Sequence, residues 1–318
     1  MSIIGIDISK NTLAIHADGL GYSINNDEKA LKKWVNEHKL LLKNPSLFVY
    51  EPTGGYERKL ATFLKRANLD SYRAHANHVR YFAKAMGISA KTDKIDAKVI
   101  AMFAAHKEAK PDKQFDRDEM LVSLLDRREQ LIQNKKQEAS RLETLTNRVI
   151  IVDIKSHIRL LDGRIKKLEK AMEQHINENE VLKEQVKLVT SIPGVGIITA
   201  VSILAYLPEI LTLDNKSIVS LSGLAPMARD SGTAKGKRSI YGGRSAVRRI
   251  LYMSAVSAMR HNSVIKAFYD RLRLNGKIFK VAITAAMRKL LTIIRSVLTR
   301  GTPWNNDGAP LLISGAVN

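Results

Sequence analysis

Four carboxylates, Asp7, Glu51, Asp93 and Asp96, are spaced through a chain whose formal net charge is +21. Asp7 closes the apolar run Ile3-Ile4-Gly5-Ile6, and Glu51 closes Leu47-Phe48-Val49-Tyr50. Asp93 and Asp96 stand three residues apart in Lys91-Thr92-Asp93-Lys94-Ile95-Asp96-Ala97, on one face of an opening helix. Gathered carboxylates repel phosphate unless a divalent cation reverses the local sign. Their hard oxygen atoms suit Mg2+, with Mn2+ as a substitute. Two such ions about 3.5–4 Å apart can stabilise both the attacking and the leaving oxygen of a phosphodiester. The chemistry implied is metal-dependent cutting of DNA or RNA. Asp93 has a purely structural alternative as a helix N-cap. His16, His75 and His78 lie nearby in sequence, but lone histidines of this kind are usually structural and are not expected as ligands.

The elements that must position these acids can be read from the apolar pattern. Residues 2–8 and 12–17 alternate as strands joined by Ser9-Lys10-Asn11, with a third strand near Gly21–Asn25, which predicts an antiparallel meander. A helix over about 27–38, a strand at Ser46–Tyr50, a helix over about 57–67, a short strand at Ser71–Ala74 and helices through His106 follow. Three antiparallel strands and then strand–helix repeats are the order of a ribonuclease-H-like, RuvC-like α/β domain, expected over residues 1–110. If its strands pair in that way, Asp7 and Glu51 emerge at one sheet edge.

From Asp116 to about Val189 the chain carries no proline and a single glycine, Gly163. Ile154, Ile158, Leu161, Ile165, Leu168 and Met172 recur at spacings of four and three. The pattern predicts a coiled-coil helical hairpin over 111–190, turning near 151–156 and serving as a spacer or dimerisation arm. A mainly α-helical domain over 191–302 and a tail over 303–318 complete the division.

That last domain holds the charge. Between Met227 and Arg300 there are 17 Lys and Arg against two acids, Asp230 and Asp270, so this stretch supplies +15 of the +21. Such a balance points to a nucleic-acid partner. Zero cysteines exclude disulfides and thiolate zinc sites. The apolar stretch Gly194–Leu207 lies between Pro193 and Pro208 and is shorter than the roughly 18 residues of a membrane span, so no membrane partner is expected. With no basic leader before the first strand, a cytoplasmic location is expected.

Gly5-Ile6-Asp7-Ile8-Ser9-Lys10, Glu51-Pro52-Thr53-Gly54-Gly55-Tyr56 and Lys91-Thr92-Asp93-Lys94-Ile95-Asp96-Ala97 resemble successive signatures of the insertion-sequence-110 family of transposases, relatives of the Piv DNA invertases. The resemblance resumes at Ile192-Pro193-Gly194-Val195-Gly196. It runs on through Leu221-Ser222-Gly223-Leu224-Ala225-Pro226 and Arg229-Asp230-Ser231-Gly232 to Gly242-Gly243-Arg244. It implies an Asp-Glu-Asp-Asp metal site at Asp7, Glu51, Asp93 and Asp96, and a C-terminal serine that attacks DNA. Ser231 is the matching serine, with Ser239 and Ser245 as neighbouring alternatives. On the residues alone, Ser231 reads as an ordinary turn residue, since an unactivated hydroxyl is a weak nucleophile.

Lys235, Lys237, Arg238, Arg244, Arg248 and Arg249 surround this segment as expected contacts to phosphate; Arg244, Arg248 and Arg249 read as phosphate clamps or partners for the acids, with solvated helix charge as the alternative. Pro193-Gly194-Val195-Gly196 also resembles a phosphate-binding helical hairpin, and a core-packed turn is the competing reading. The resemblance further implies DNA as substrate, a guide non-coding RNA, and a homodimer or homotetramer. The competing function is a RuvC-like junction endonuclease that uses metal-activated water and no serine intermediate. A third possibility is a non-enzymatic nucleic-acid binder on a dead fold.

Overall fold

The structure, a computed structural model, describes residues 2–39, 45–88, 92–112, 117–227, 236 and 238–305. The chain divides into two compact units, Met1–Gln114 and Phe115–Asn318. In the first, β1 (Ser2–Ile8), β2 (Thr12–Ala17) and β3 (Leu20–Asn25) form the antiparallel meander. There follow α1 (Glu28–Glu37), β4 (Ser46–Tyr50), α2 (Arg58–Arg66), β5 (Ser71–Arg73), α3 (Ala76–Ala85) and α4 (Asp93–His106). The sheet order is β3-β2-β1-β4-β5, with β4 parallel to both β1 and β5. Asp18 and Gly19, both at positive φ, make the tight β2–β3 turn whose twist matches a right-twisted hairpin.

The strand period of two sorts side chains onto two faces. Ile4, Ile6, Leu13, Ile15, Phe48 and Tyr50 pack against Leu31 and Trp34 of α1 and against Leu60, Phe63 and Leu64 of α2. Leu47 and Val49 pack on the opposite face with Val79 of α3 and Val99, Ile100, Phe103 and Ala104 of α4. Helices therefore cover both faces, which is why these strands read as nearly continuous apolar runs.

The second unit is mainly helical. α5 (Glu119–Leu142) and α6 (Arg148–Asn177) run antiparallel, with Leu131, Leu161 and Ile165 between them. Arg128–Glu169 and Lys135–Asp162 ion pairs, at 2.7 and 2.6 Å, staple the two helices. The turn occupies residues 143–147, which corrects the expectation of 151–156. The Asn147 side chain accepts the Val149 amide and starts α6 there, so Val149–Val152 lie within the helix. The base of this pair, Leu121, Val122, Leu125, Met172 and Ile176, belongs to the C-terminal core.

That core is completed by α7 (Glu180–Thr190), α8 (Ile197–Tyr206), a 3-10 turn at Pro208–Leu211, α9 (Asn215–Leu221), β6 (Pro226–Met227), β7 (Ser239–Ile240), α10 (Ser245–His261), α11 (Ser263–Leu274) and α12 (Phe279–Arg300). α12 is its spine: Ile283, Met287, Leu290, Ile294 and Val297 follow helical spacing and are all buried. No helix among the described residues is long and apolar enough to cross a membrane.

Candidate active site and nucleic-acid interface

The acidic edge of the first unit is set by register. β1 and β4 pair in parallel up to Ile6 opposite Tyr50, and Asp7 and Glu51 are the next residues on the two strands. Alternation along β1 puts Asp7 on the same face as Ile3 and Gly5, where Ile3 packs with α4, and Glu51 follows the last residue of β4. α4 reaches this face because Gly5 has no side chain. A Cβ at Gly5 would stand 2.2 Å from the Ala97 carbonyl oxygen and 2.7 Å from the Ala101 amide nitrogen. Asp96, the residue before Ala97, thereby enters beside the strand that contains Asp7. Asp93, one turn earlier, is exposed. Thr92, not Asp93, caps α4, its hydroxyl oxygen accepting the Ile95 amide at 3.3 Å.

Two residues outside the sequence expectation hold the loops behind these acids. The buried Asn26 side chain donates to the Ser9 carbonyl at 2.9 Å and to the Tyr56 carbonyl at 3.2 Å, tying the turn after Asp7 to the loop after Glu51. Glu57 accepts the Gly55 amide at 2.8 Å and the Thr53 amide at 3.1 Å, folding the Pro52–Tyr56 loop around one carboxylate. Burial opposes the Glu57 charge. The amides of Glu57 itself, Gly55 and Thr53, with the Arg73 guanidinium, outweigh burial and hold this carboxyl below its ordinary range. Neither role was legible locally, because each joins segments distant in sequence. His75 caps α3 by accepting the Asn77 amide, and burial, with Lys98, pushes His16 below its usual pKa.

All the donors at this edge are carboxylate oxygens, the chemistry a hard divalent cation takes. Among the described residues, no three Asp, Glu or His side chains gather closely enough to hold an ion by themselves. Mg2+ is ordinarily held by one or two carboxylates, completed by waters and substrate phosphate, so the donor set still fits such an ion.

The basic side of the chemistry lies in the second unit. β6 and β7 pair antiparallel, Pro226 with Ile240 and Met227 with Ser239, at either end of the segment 228–238. Ser231, Lys235 and Lys237 fall in that segment, outside the described residues. Its base is pinned by a glycine crossing. A Cβ on Gly243 would meet the Gly223 amide nitrogen at 2.2 Å, and one on Gly223 would meet the Gly242 carbonyl oxygen at 2.1 Å. The Arg244 amide then donates to the Leu221 carbonyl at 2.8 Å.

The side chain of Arg244 does not point to an open phosphate site. It grips the buried Glu209 through two bonds of 2.5 and 2.6 Å and donates to the Tyr206 carbonyl, so its partner is an acid of its own unit and none of the four candidate acids. Arg248 donates to the Gly242 carbonyl, and Arg249 pairs with Glu129 on the surface. Ser239 is an exposed strand residue, and Ser245 starts α10.

Beside the ribbon is a groove of about 920 Å3. Arg238, Arg248, Arg249, Lys280 and Arg288 line it, and no acid does so among the described residues. Leu224, Ile283 and Met287 form apolar wall, and the rings of Tyr252 and Phe279 border it. α10 and α12 both begin here without a side-chain cap, adding two positive helix ends. Lys280, Arg288, Tyr252 and Phe279 were missed in sequence. The signal was present as i, i+4 spacing, Arg248 with Tyr252 and Lys280 with Thr284 and Arg288. The Pro193–Gly196 turn is core-bound at Gly194, where a Cβ would meet the Ala258 backbone at 2.5 Å, while Gly196 faces open space.

Two family models match the chain. One, described as transposase, covers residues 4–151, and the other, described as transposase IS116/IS110/IS902 family, covers residues 186–270. The pilin gene-inverting protein of Moraxella lacunata is 30% identical over 319 residues, spanning 95% of this chain and 97% of that protein. The chain belongs to the IS110 family of transposases. The pilin gene-inverting protein of Moraxella bovis matches to the same extent. An insertion element IS110 protein of Streptomyces coelicolor is 29% identical over 135 residues, 42% of this chain and 33% of that protein. Membership makes this a transposase or DNA invertase, an enzyme acting on DNA. A DEDD transposase domain of this family usually binds a divalent metal, and the mixed sheet of the first unit is consistent with a RuvC-like fold.

Proposed function

We propose that this IS110-family protein cuts and rejoins DNA strands through a serine nucleophile, Ser231, assisted by Mg2+ held at Asp7, Glu51, Asp93 and Asp96 in a RuvC-like domain. The observation that carries the reading is the end-to-end match to a pilin gene-inverting relative, supported by the β1–β4 register, after which Asp7 and Glu51 are the next residues on neighbouring strands. A bound divalent cation supplies Lewis-acid stabilisation of charge on the phosphodiester oxygens. The chain's own groups do the rest. Ser231 Oγ bonds to phosphorus as it gives up its proton, and the displaced sugar oxygen leaves and takes up a proton. The energy of the broken bond stays in the serine–phosphate link until a sugar hydroxyl attacks it and releases the serine.

Lys235, Lys237, Arg238, Arg248 and Arg249 neutralise the phosphates around this point, and Arg244 positions the loop through Glu209. The α5–α6 pair acts as a coiled-coil arm for a homodimer or homotetramer, and a guide non-coding RNA selects the DNA, as the family resemblance implies. Incubation with labelled DNA and Mg2+ tests the chemistry on a denaturing gel. A slow protein–DNA adduct that Ser231→Ala abolishes and Ser239→Ala and Ser245→Ala spare is expected. Cut ends with no adduct would establish instead the junction endonuclease using metal-activated water.

A further inference from the structure

The groove between the β6–β7 ribbon, α10 and α12 has more apolar and aromatic wall than phosphate neutralisation needs. Phosphate contacts call for cations at a surface. Here Tyr252 and Phe279 stand at the rim, each about two-fifths exposed, among further exposed apolar side chains, Met227, Ile240 and Val281. The Phe279 ring is set edge-on to Tyr269, with centroids 6.4 Å apart and planes at 74°, which fixes its orientation. The open groove, about 920 Å3, has the size of a small-ligand site. An occupant that is flat and apolar on one side and anionic on the other matches this lining.

We propose that this groove takes one unstacked base of a DNA strand against Tyr252 and Phe279, with Arg248, Lys280 and Arg288 on the flanking phosphates. This deepens the reading of the chain as a DNA recombinase and rests on it. Five cations line the groove, Arg249 among them already paired with Glu129, and no acid lines it among the described residues, so the lining favours an anionic occupant and its two rings favour one that carries a base.

The test compares binding of two labelled single DNA strands of one sequence, one intact and one with its bases replaced by abasic residues, and of the ribose version of the intact strand. Wild type should prefer the intact DNA strand to the abasic one by roughly five- to one-hundred-fold, the range for base–aromatic stacking. Tyr252→Ala and Phe279→Ala should remove that preference and leave abasic binding within about two-fold, since the phosphate contacts remain. Tyr252→Phe and Phe279→Tyr, which keep a ring, should restore it, whereas Phe279→Leu should not. Equal binding of intact and abasic strands by wild type, equal loss of both in the alanine variants, or a preference confined to the ribose strand would overturn the proposal. Formation of the serine adduct is read separately, so failure of the base site leaves the recombinase reading standing or falling on its own assay.

Discussion

Replacing Gly5 by alanine inserts one methyl group where α4 crosses β1. The added carbon would lie 2.2 Å from the Ala97 carbonyl oxygen, 2.7 Å from the Ala101 amide and 2.9 Å from the Ala101 Cβ. Two of these three atoms are backbone, so no side-chain rotation relieves the clash, and the helix must move away from the sheet. Overpacking of this kind costs about 3 kcal/mol, which lowers the melting temperature of the first unit by about 10 °C. The displaced helix carries Asp96 with it, and a shift of about 1 Å in a catalytic group can cost roughly 100-fold in rate. The assay pairs thermal melting with DNA cleavage measured well below the variant's melting point. Gly21→Ala is the control, because a Cβ there meets nothing within 4 Å. Wild-type stability in Gly5→Ala, or destabilisation without loss of cleavage below the transition, would refute the claim that this contact seats the acids.

Three further outcomes follow from particular contacts. Arg244→Ala strands the buried Glu209 carboxylate and should cost about 2 kcal/mol after allowance for the one-third exposure of the arginine side chain, with Arg244→Ala/Glu209→Ala costing less than the sum of the singles in urea melts. Glu57 has its pKa depressed in the folded chain, so its stabilisation is present above its unfolded value of about 4.5 and is lost as pH falls through the lower folded value. Urea midpoints of Glu57→Gln should therefore lie below wild type at neutral pH and converge with it as pH falls through the depressed folded value. Chelation of divalent metal should abolish cutting but leave DNA retardation in gels within about two-fold, because binding draws on the basic second unit.

Much of the first unit was legible because its strands are apolar runs bounded by Ser9-Lys10-Asn11, Asp18-Gly19 and the Gly54-Gly55 loop, and the first two are hairpin turns that set the antiparallel register of β1, β2 and β3. The parallel β1–β4 register, reached through the α1 crossover, then brings Asp7 beside Glu51. The α5–α6 turn was misplaced because residues 143–147 hold neither glycine nor proline, and the apolar run Val149–Val152, with Val149, Ile150 and Val152 exposed, resembles a break in a polar helix. Asn147, a helix start signal, was the available clue. Arg244 was unreadable as the partner of Glu209 because 35 residues separate them, and only the Gly223–Gly243 crossing closes that distance. The aromatic groove escaped notice for the same reason: α10 and α12 supply one wall each.

The most direct measurement is mass spectrometry of the nuclease-trimmed adduct formed with DNA and Mg2+. The proposed chemistry predicts a nucleotide-bearing peptide whose modification maps to Ser231. Modification at Ser239 or Ser245, or cut DNA with no modified serine at all, would contradict it.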